Sequence, residues 1–222
     1  GLNNWQAANL REMRHTWLHA TAVTADLVEA LSKASMACET KWRIARAESD
    51  YEGIKPFLTE VLNRTKESAS AKSEALDCAP YDALMDEYTP GLRQAVIDPI
   101  FSDLESFLPN FLKVIIEKQA AAPQPLLPKG PFSIRQQRNL GHLLMKTLGF
   151  DFSQGRLDIS QHPFSGGTPD DLRITTRYDK NDFTSGLMGI LHETGHALYE
   201  KNLPKDWRRQ PVGEARGMDV HE

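Results

Sequence analysis

Apolar residues recur at helical spacing through most of the chain. Trp5, Leu10, Met13, Trp17, Val23, Leu27, Leu31 and Ala34 mark one stripe, which predicts a long helix or a broken pair packing through that stripe. Leu2 and Trp5 already follow the spacing without an evident cap before them, so the chain is expected to begin inside a helix. Prolines then punctuate the pattern. Pro56 suits the start of a helix reaching about residue 70, residues 80–88 form a short one, and residues 90–118 form another that Pro99 and Pro109 should break or kink. Residues 120–131, with four prolines and a glycine, are the clearest connector. Ser133 can cap a helix that stops at Gly149, where a left-handed residue suits the end.

Beyond Gly149 the period changes from helical to alternating. Residues 156–160 and 171–178 read as extended; in the second, Leu172, Ile174, Thr176 and Tyr178 alternate with Asp171, Arg173, Thr175 and Arg177. The segment between them, with His162-Pro163 and Ser165-Gly166-Gly167-Thr168-Pro169, reads as a turn or loop. Helical spacing returns over 182–202, where Asp182, Thr184 and Ser185 are possible N-caps and Pro204 lies just past the end. The expected fold is mainly α, with a small antiparallel sheet beside that helix. Residues 1–118 form a helical region, 119–131 the connector, and 132–222 a helix, the sheet and a site-bearing helix, read with 1–118 as one incomplete catalytic domain.

The site-bearing helix carries His192-Glu193-Thr194-Gly195-His196, the H-E-x-x-H spacing. Four residues apart on a helix, the two imidazoles share a face and can hold one Zn²⁺, while Glu193, about 100° round the helix, reaches an attacking water rather than the metal. A metzincin would place its third His at the position of Asn202, which excludes that branch. Glu200 shares the face but lies about 12 Å along the axis from His192, too far for one ion. The third ligand must come from another element; Glu214 and Glu222, in a helical stretch expected over 211–222, are the candidates, and spacing does not choose between them. His15 and His19 also stand four apart, but no Glu follows His15, so they read as helix surface or packing.

The strings HETGHALYE at 192–200 and PVGEARGMDVHE at 211–222 resemble the active-site region of the M32 family of metallocarboxypeptidases, typified by carboxypeptidase Taq. Upstream, His162-Pro163-Phe164 resembles the family's HPF motif and 171–175 its DxRxT motif, with a weaker likeness in ANLREMR at 8–14. The resemblance implies a helical zincin-type architecture, with His192, His196 and Glu222 as metal ligands and Glu193 as general base. It also implies release of C-terminal amino acids from peptides with a free C-terminus, and a homodimer. Members are about twice this length, and the arginine they use for the substrate carboxylate lies in the other half, so a fragment with little activity of its own is expected. Zinc is the expected metal, with Co²⁺ or Mn²⁺ acceptable to the same donors. His162 and Arg173 each carry two readings: substrate contact, or a packed turn in the first case and an ion pair with Asp171 in the second. Thr175 completes the motif.

Composition narrows the remaining classes. A net charge of −4 without a basic stripe argues against nucleic acid, and no apolar run is long enough to span a membrane. Cys38 and Cys78 are isolated, which favours free thiols and a cytoplasmic setting. The alternatives are an H-E-x-x-H endopeptidase or aminopeptidase, distinguished by blocked C-termini, and a non-catalytic helical module.

Overall fold

The first fifty residues form the broken pair. A computed structural model covering residues 1–222 has helix α1 at Asn4–Ala22 and α2 at Ala25–Glu48. Val23 is extended and Thr24 caps α2, its side chain accepting from the Leu27 N–H. The chain does not begin inside a helix: Asn3 caps α1 in a reciprocal box with Gln6, a signal the hydrophobic stripe concealed. Helix α3, Tyr51–Leu76, likewise starts ahead of Pro56, because Asp50 accepts from the Gly53 N–H and sets the first turn earlier. Asp50 and the left-handed Asp77 at the far end bracket a longer helix than proline spacing predicted.

Helix α4 occupies Pro80–Tyr88, as expected, with proline in the first turn. Helix α5, Gln94–Ala121, runs unbroken through Pro99 and Pro109, against expectation. Each proline removes one i→i−4 bond, and in a helix this long the bonds on either side keep the segment helical. The chain forms two compact units, Gly1–Phe107 and Leu108–Glu222, which meet within α5. In the first unit α3 packs against α1, α2 and α4.

In the second unit Ser133 caps α6, Ile134–Thr147, and Gly149 follows with φ +94°. Three strands come next: β1 Gly155–Ile159, β2 Phe164–Thr168 and β3 Asp171–Thr176, in the order β1-β3-β2. The segment read as a turn contains a strand, and the sheet is mixed, since β1 pairs parallel to β3 while β2 pairs antiparallel. A short turn joins β2 to β3, which takes the centre, and the residues after β1 cross its end instead of forming a hairpin. Gly167, at φ +107°, has no room for a Cβ, which would lie 2.0 Å from the Asp171 carbonyl oxygen.

Helix α7, Phe183–Lys201, lies against β2, β3 and α6. The core of this unit is Met145, Phe150, Leu157, Leu172, Ile174, Ile190 and Ala197, with the alternation of β3 placing Leu172 and Ile174 inward. Gly141 lets α6 approach: a Cβ there would meet Ile190 Cδ1 at 2.7 Å. The helix expected over 211–222 is absent. Single 3-10 turns occupy Lys205–Trp207 and Pro211–Gly213, and a four-residue helix, α8, spans Met218–His221. Gly213 and an extended Gly217 interrupt the spacing that suggested one helix. No helix is long and apolar enough to cross a membrane.

Candidate metal centre

The site is built on α7. Asp182 starts the helix by accepting from the Thr184 hydroxyl and from the Thr184 and Ser185 N–H groups, bonds that hold its carboxyl below the usual carboxylate range. Two and a half turns on, helical spacing brings His192 Nε2 to 3.0 Å from His196 Nε2. Glu222, directly after α8, places Oε2 at 3.6 Å from the first nitrogen and 3.7 Å from the second. Glu214 is exposed and does not join this group. Glu193 is only 9% exposed, yet it lines the same cavity, of about 470 Å³, as the histidines and Glu222.

The donors suit one divalent ion. Two imidazole nitrogens and a carboxylate oxygen form a common zinc set, and bonds of about 2.1 Å in tetrahedral geometry would separate donors by about 3.4 Å, close to the spacings present. The set leaves a fourth position for water or substrate.

The HPF and DxRxT segments meet at one point. Thr175 Oγ1 donates to the His162 carbonyl oxygen at 3.0 Å and accepts from Ser160 Oγ at 2.8 Å. The His162 side chain is exposed and does not line the cavity; its backbone is what the neighbouring residues hold. Pro163 then packs on α7, where a Cβ at Gly189 would meet it at 3.2 Å, and Phe164 opens β2 along the cavity wall. Arg173 and Asp171 pair in bidentate fashion, with Nη2 to Oδ2 at 2.8 Å and Nε to Oδ1 at 3.1 Å. That hydrogen bonding lowers the Asp171 pKa, and neither residue lines the cavity.

Two features escaped the sequence. Residues of β2 line the cavity, a placement its Ser-Gly-Gly-Thr run did not suggest. His221 packs between His196 and Tyr199 with Nε2 3.9 Å from Glu200 Oε1; the His-Glu pair at 221–222 was the available signal.

His15 and His19 converge on a carboxylate as well, in the first unit. Their Nε2 atoms lie 2.6 and 3.1 Å from Asp86 Oδ2, while Oδ1 accepts from Arg93 Nη1 at 2.6 Å and the Gly91 N–H at 2.9 Å. Both oxygens are already engaged and a guanidinium sits against the carboxylate, so hydrogen bonding accounts for the cluster. A larger cavity of about 730 Å³ between α2 and α3 is lined mainly by apolar side chains such as Trp42, Ile54 and Leu58 and contains no histidine.

Comparison with known proteins places the chain in a family. The Thermus thermophilus protein named thermostable carboxypeptidase 1 is 38% identical over 97% of this chain and 44% of its own length. Carboxypeptidase 1 of Bacillus subtilis is 31% identical over 83% of the chain and 36% of its length. Among solved structures, Trypanosoma cruzi metallocarboxypeptidase 1 superposes with a TM-score of 0.96 at 40% identity, covering 99% of this chain and 44% of that one. The M32 carboxypeptidase of Deinococcus radiodurans superposes at 0.89 with 30% identity, again over 99% and 44%. The chain thus spans less than half the length of these relatives. The family model described as carboxypeptidase Taq (M32) metallopeptidase matches residues 2–222, and the chain belongs to that family.

Proposed function

We propose that the protein is a metal-dependent carboxypeptidase in which His192, His196 and Glu222 hold the ion and Glu193 is the general base. The observation that carries this reading is the convergence of two Nε2 atoms and one carboxylate oxygen beside a largely buried Glu193 in a single cavity. Zinc is the metal the donors favour, with Co²⁺ or Mn²⁺ as substitutes, and such an ion would supply Lewis acidity toward a peptide carbonyl and make water a nucleophile near neutral pH. Glu193 accepts the proton of the attacking water and returns it to the departing amine, a role worth about 10²–10⁴ in rate. Strand β2 pairs with β3 on one side only, so its other edge can receive an extended peptide backbone along the cavity.

We assign His162, Asp171, Arg173 and Thr175 to the support behind the site, where they fix the HPF turn and β3, rather than to the chemistry. No arginine or lysine lines the cavity. A carboxypeptidase needs a cation for the terminal carboxylate, best met by a bidentate Arg, and we infer that it comes from the part of the relatives' length that this chain does not span. Weak turnover by the 222-residue chain alone is therefore expected. A homodimer acting in the cytoplasm completes the reading, consistent with Cys38 and Cys78 as free thiols.

The test compares the unaltered protein with Glu193→Gln in a polypeptide long enough to turn over. Peptides with free C-termini should be cleaved from the end and amidated ones spared. Glu193→Gln should lose about 100-fold or more in kcat while retaining its metal. Equal cleavage of amidated peptides would make the enzyme an endopeptidase or aminopeptidase, and undiminished turnover by Glu193→Gln would remove the general-base assignment.

A further inference from the structure

Helix α8 starts after Gly217 without a side-chain cap. Glu222 follows it with its side chain 52% exposed and ion-pair partners in His192 and His196 alone. Its neighbour in the chain, His221, packs on the same helix as those histidines.

His221 supplies the connection. Its ring centroid lies 4.6 Å from that of His196, edge-on, and 4.7 Å from that of Tyr199. Its Nε2 is buried without a hydrogen-bond partner and stands 3.9 Å from Glu200 Oε1. His196, Tyr199 and Glu200 lie at i, i+3 and i+4 of α7, so one turn of that helix presents a ring, a second ring and a carboxylate to the same imidazole. The gap to Glu200 is longer than a hydrogen bond, and the chain can close it with a small movement or a bridging water.

We propose that the grip of Tyr199 and Glu200 on His221 is a latch that positions Glu222 as the third metal ligand. His221 and Glu200 are positioning residues: neither binds the ion, and each acts through the next. The inference rests on the metal-centre reading above. It also gives Glu200, too far along α7 from His192 to share an ion, a task on the same helical face. Residues that orient ligands in this way affect metal affinity by about 10–100-fold.

The experiment measures Zn²⁺ affinity of the purified protein by competition with a chromophoric chelator, together with the visible absorption of the Co²⁺ form, which reports the coordination geometry of the ion. His221→Ala should weaken zinc by about 10–100-fold and shift the cobalt spectrum toward that of Glu222→Gln. Glu200→Ala should weaken zinc in the same direction, and His221→Phe, which keeps the ring without Nε2, should fall between the unaltered protein and His221→Ala. The double variant His221→Ala/Glu222→Gln should be no weaker than Glu222→Gln alone, because the latch acts only through Glu222. Zinc affinity unchanged within twofold in both His221→Ala and Glu200→Ala would overturn the latch, as would additive weakening in the double variant. If His221→Ala does not fold, His221→Phe and Glu200→Ala decide by the same criteria. Zinc binding insensitive to His196→Ala would instead remove the metal centre itself, and the latch with it.

Discussion

The two histidine pairs use one spacing for opposite ends. His15 and His19 on α1 and His192 and His196 on α7 are each four residues apart, and each pair meets a carboxylate from elsewhere in its unit. In the first unit that carboxylate, Asp86, has a side chain only 4% exposed and is already bound by Arg93 and the Gly91 N–H. Burial pushes the Asp86 carboxyl up, but the Arg93, Gly91, His19 and His15 bonds outweigh it and hold the group well below the usual carboxylate range. In the second unit Glu222 is half exposed, has no cationic side chain against it except the histidines, and shares a cavity with Glu193. A saturated carboxylate makes a histidine pair structural, and an unsaturated one leaves its lone pairs for an ion.

The contrast breaks most directly at Asp86. Asp86→Asn should cost about 3 kcal/mol of stability, since it weakens the charge-assisted hydrogen bonds that Arg93 and the Gly91 N–H give to a carboxylate only 4% exposed. Zinc affinity should not change. The folded pKa of Asp86 is depressed, so its stabilisation is fully present above the unfolded value of about 3.9 and is lost as pH falls through the lower folded value. Denaturant curves of the two proteins should therefore differ at pH 7 and draw together below about pH 4; a constant difference across that range would mean that the charge is not what Asp86 contributes.

The reciprocal substitutions sharpen the same comparison. His196→Ala should weaken zinc by more than the ~100-fold that supporting residues command, about 2.7 kcal/mol or more, while barely altering melting of the metal-free protein. His19→Ala should do the reverse, leaving zinc affinity intact and lowering stability by about 1–2 kcal/mol through loss of a bond to a buried charge. A zinc deficit in His19→Ala would make the first cluster a metal site after all.

These predictions reach residues that were legible in the sequence to different degrees. Helices α4, α6 and α7 could be read closely, because Pro80, Ser133 and Asp182 act through local backbone geometry that the chain spells out. His192, Glu193 and His196 were legible for the same reason, since one helical turn relates them. Strand β2 was not: Gly166 and Gly167 have little strand preference, and pairing with β3 makes the segment extended. The saturation of Asp86 was equally hidden, because His15 and Asp86 are 71 residues apart and no period connects them. Glu222 could be singled out from Glu214 only by family resemblance, and the packing of His221 on Tyr199 is a tertiary contact without a sequence signature.

The smallest expected effect comes from a histidine that has neither partner. His142 on α6 stacks on Phe152 at 4.6 Å, and its buried Nε2 lacks a hydrogen-bond partner. Burial lowers its pKa, and the positive charges of Arg138 and Lys146 act in the same direction. Because the folded value lies below the unfolded value of about 6.5, the unfolded chain takes up the proton first, and the stability associated with neutral His142 declines as pH falls below about 6.5. His142→Phe keeps an aromatic ring against Phe152 and removes the titrating group. Its stability should change by less than about 1 kcal/mol at pH 7.5 and should fall less steeply than that of the unaltered protein between pH 7 and 5, by a few tenths of a kcal/mol. Parallel curves would show that His142 meets its proton alike in both states.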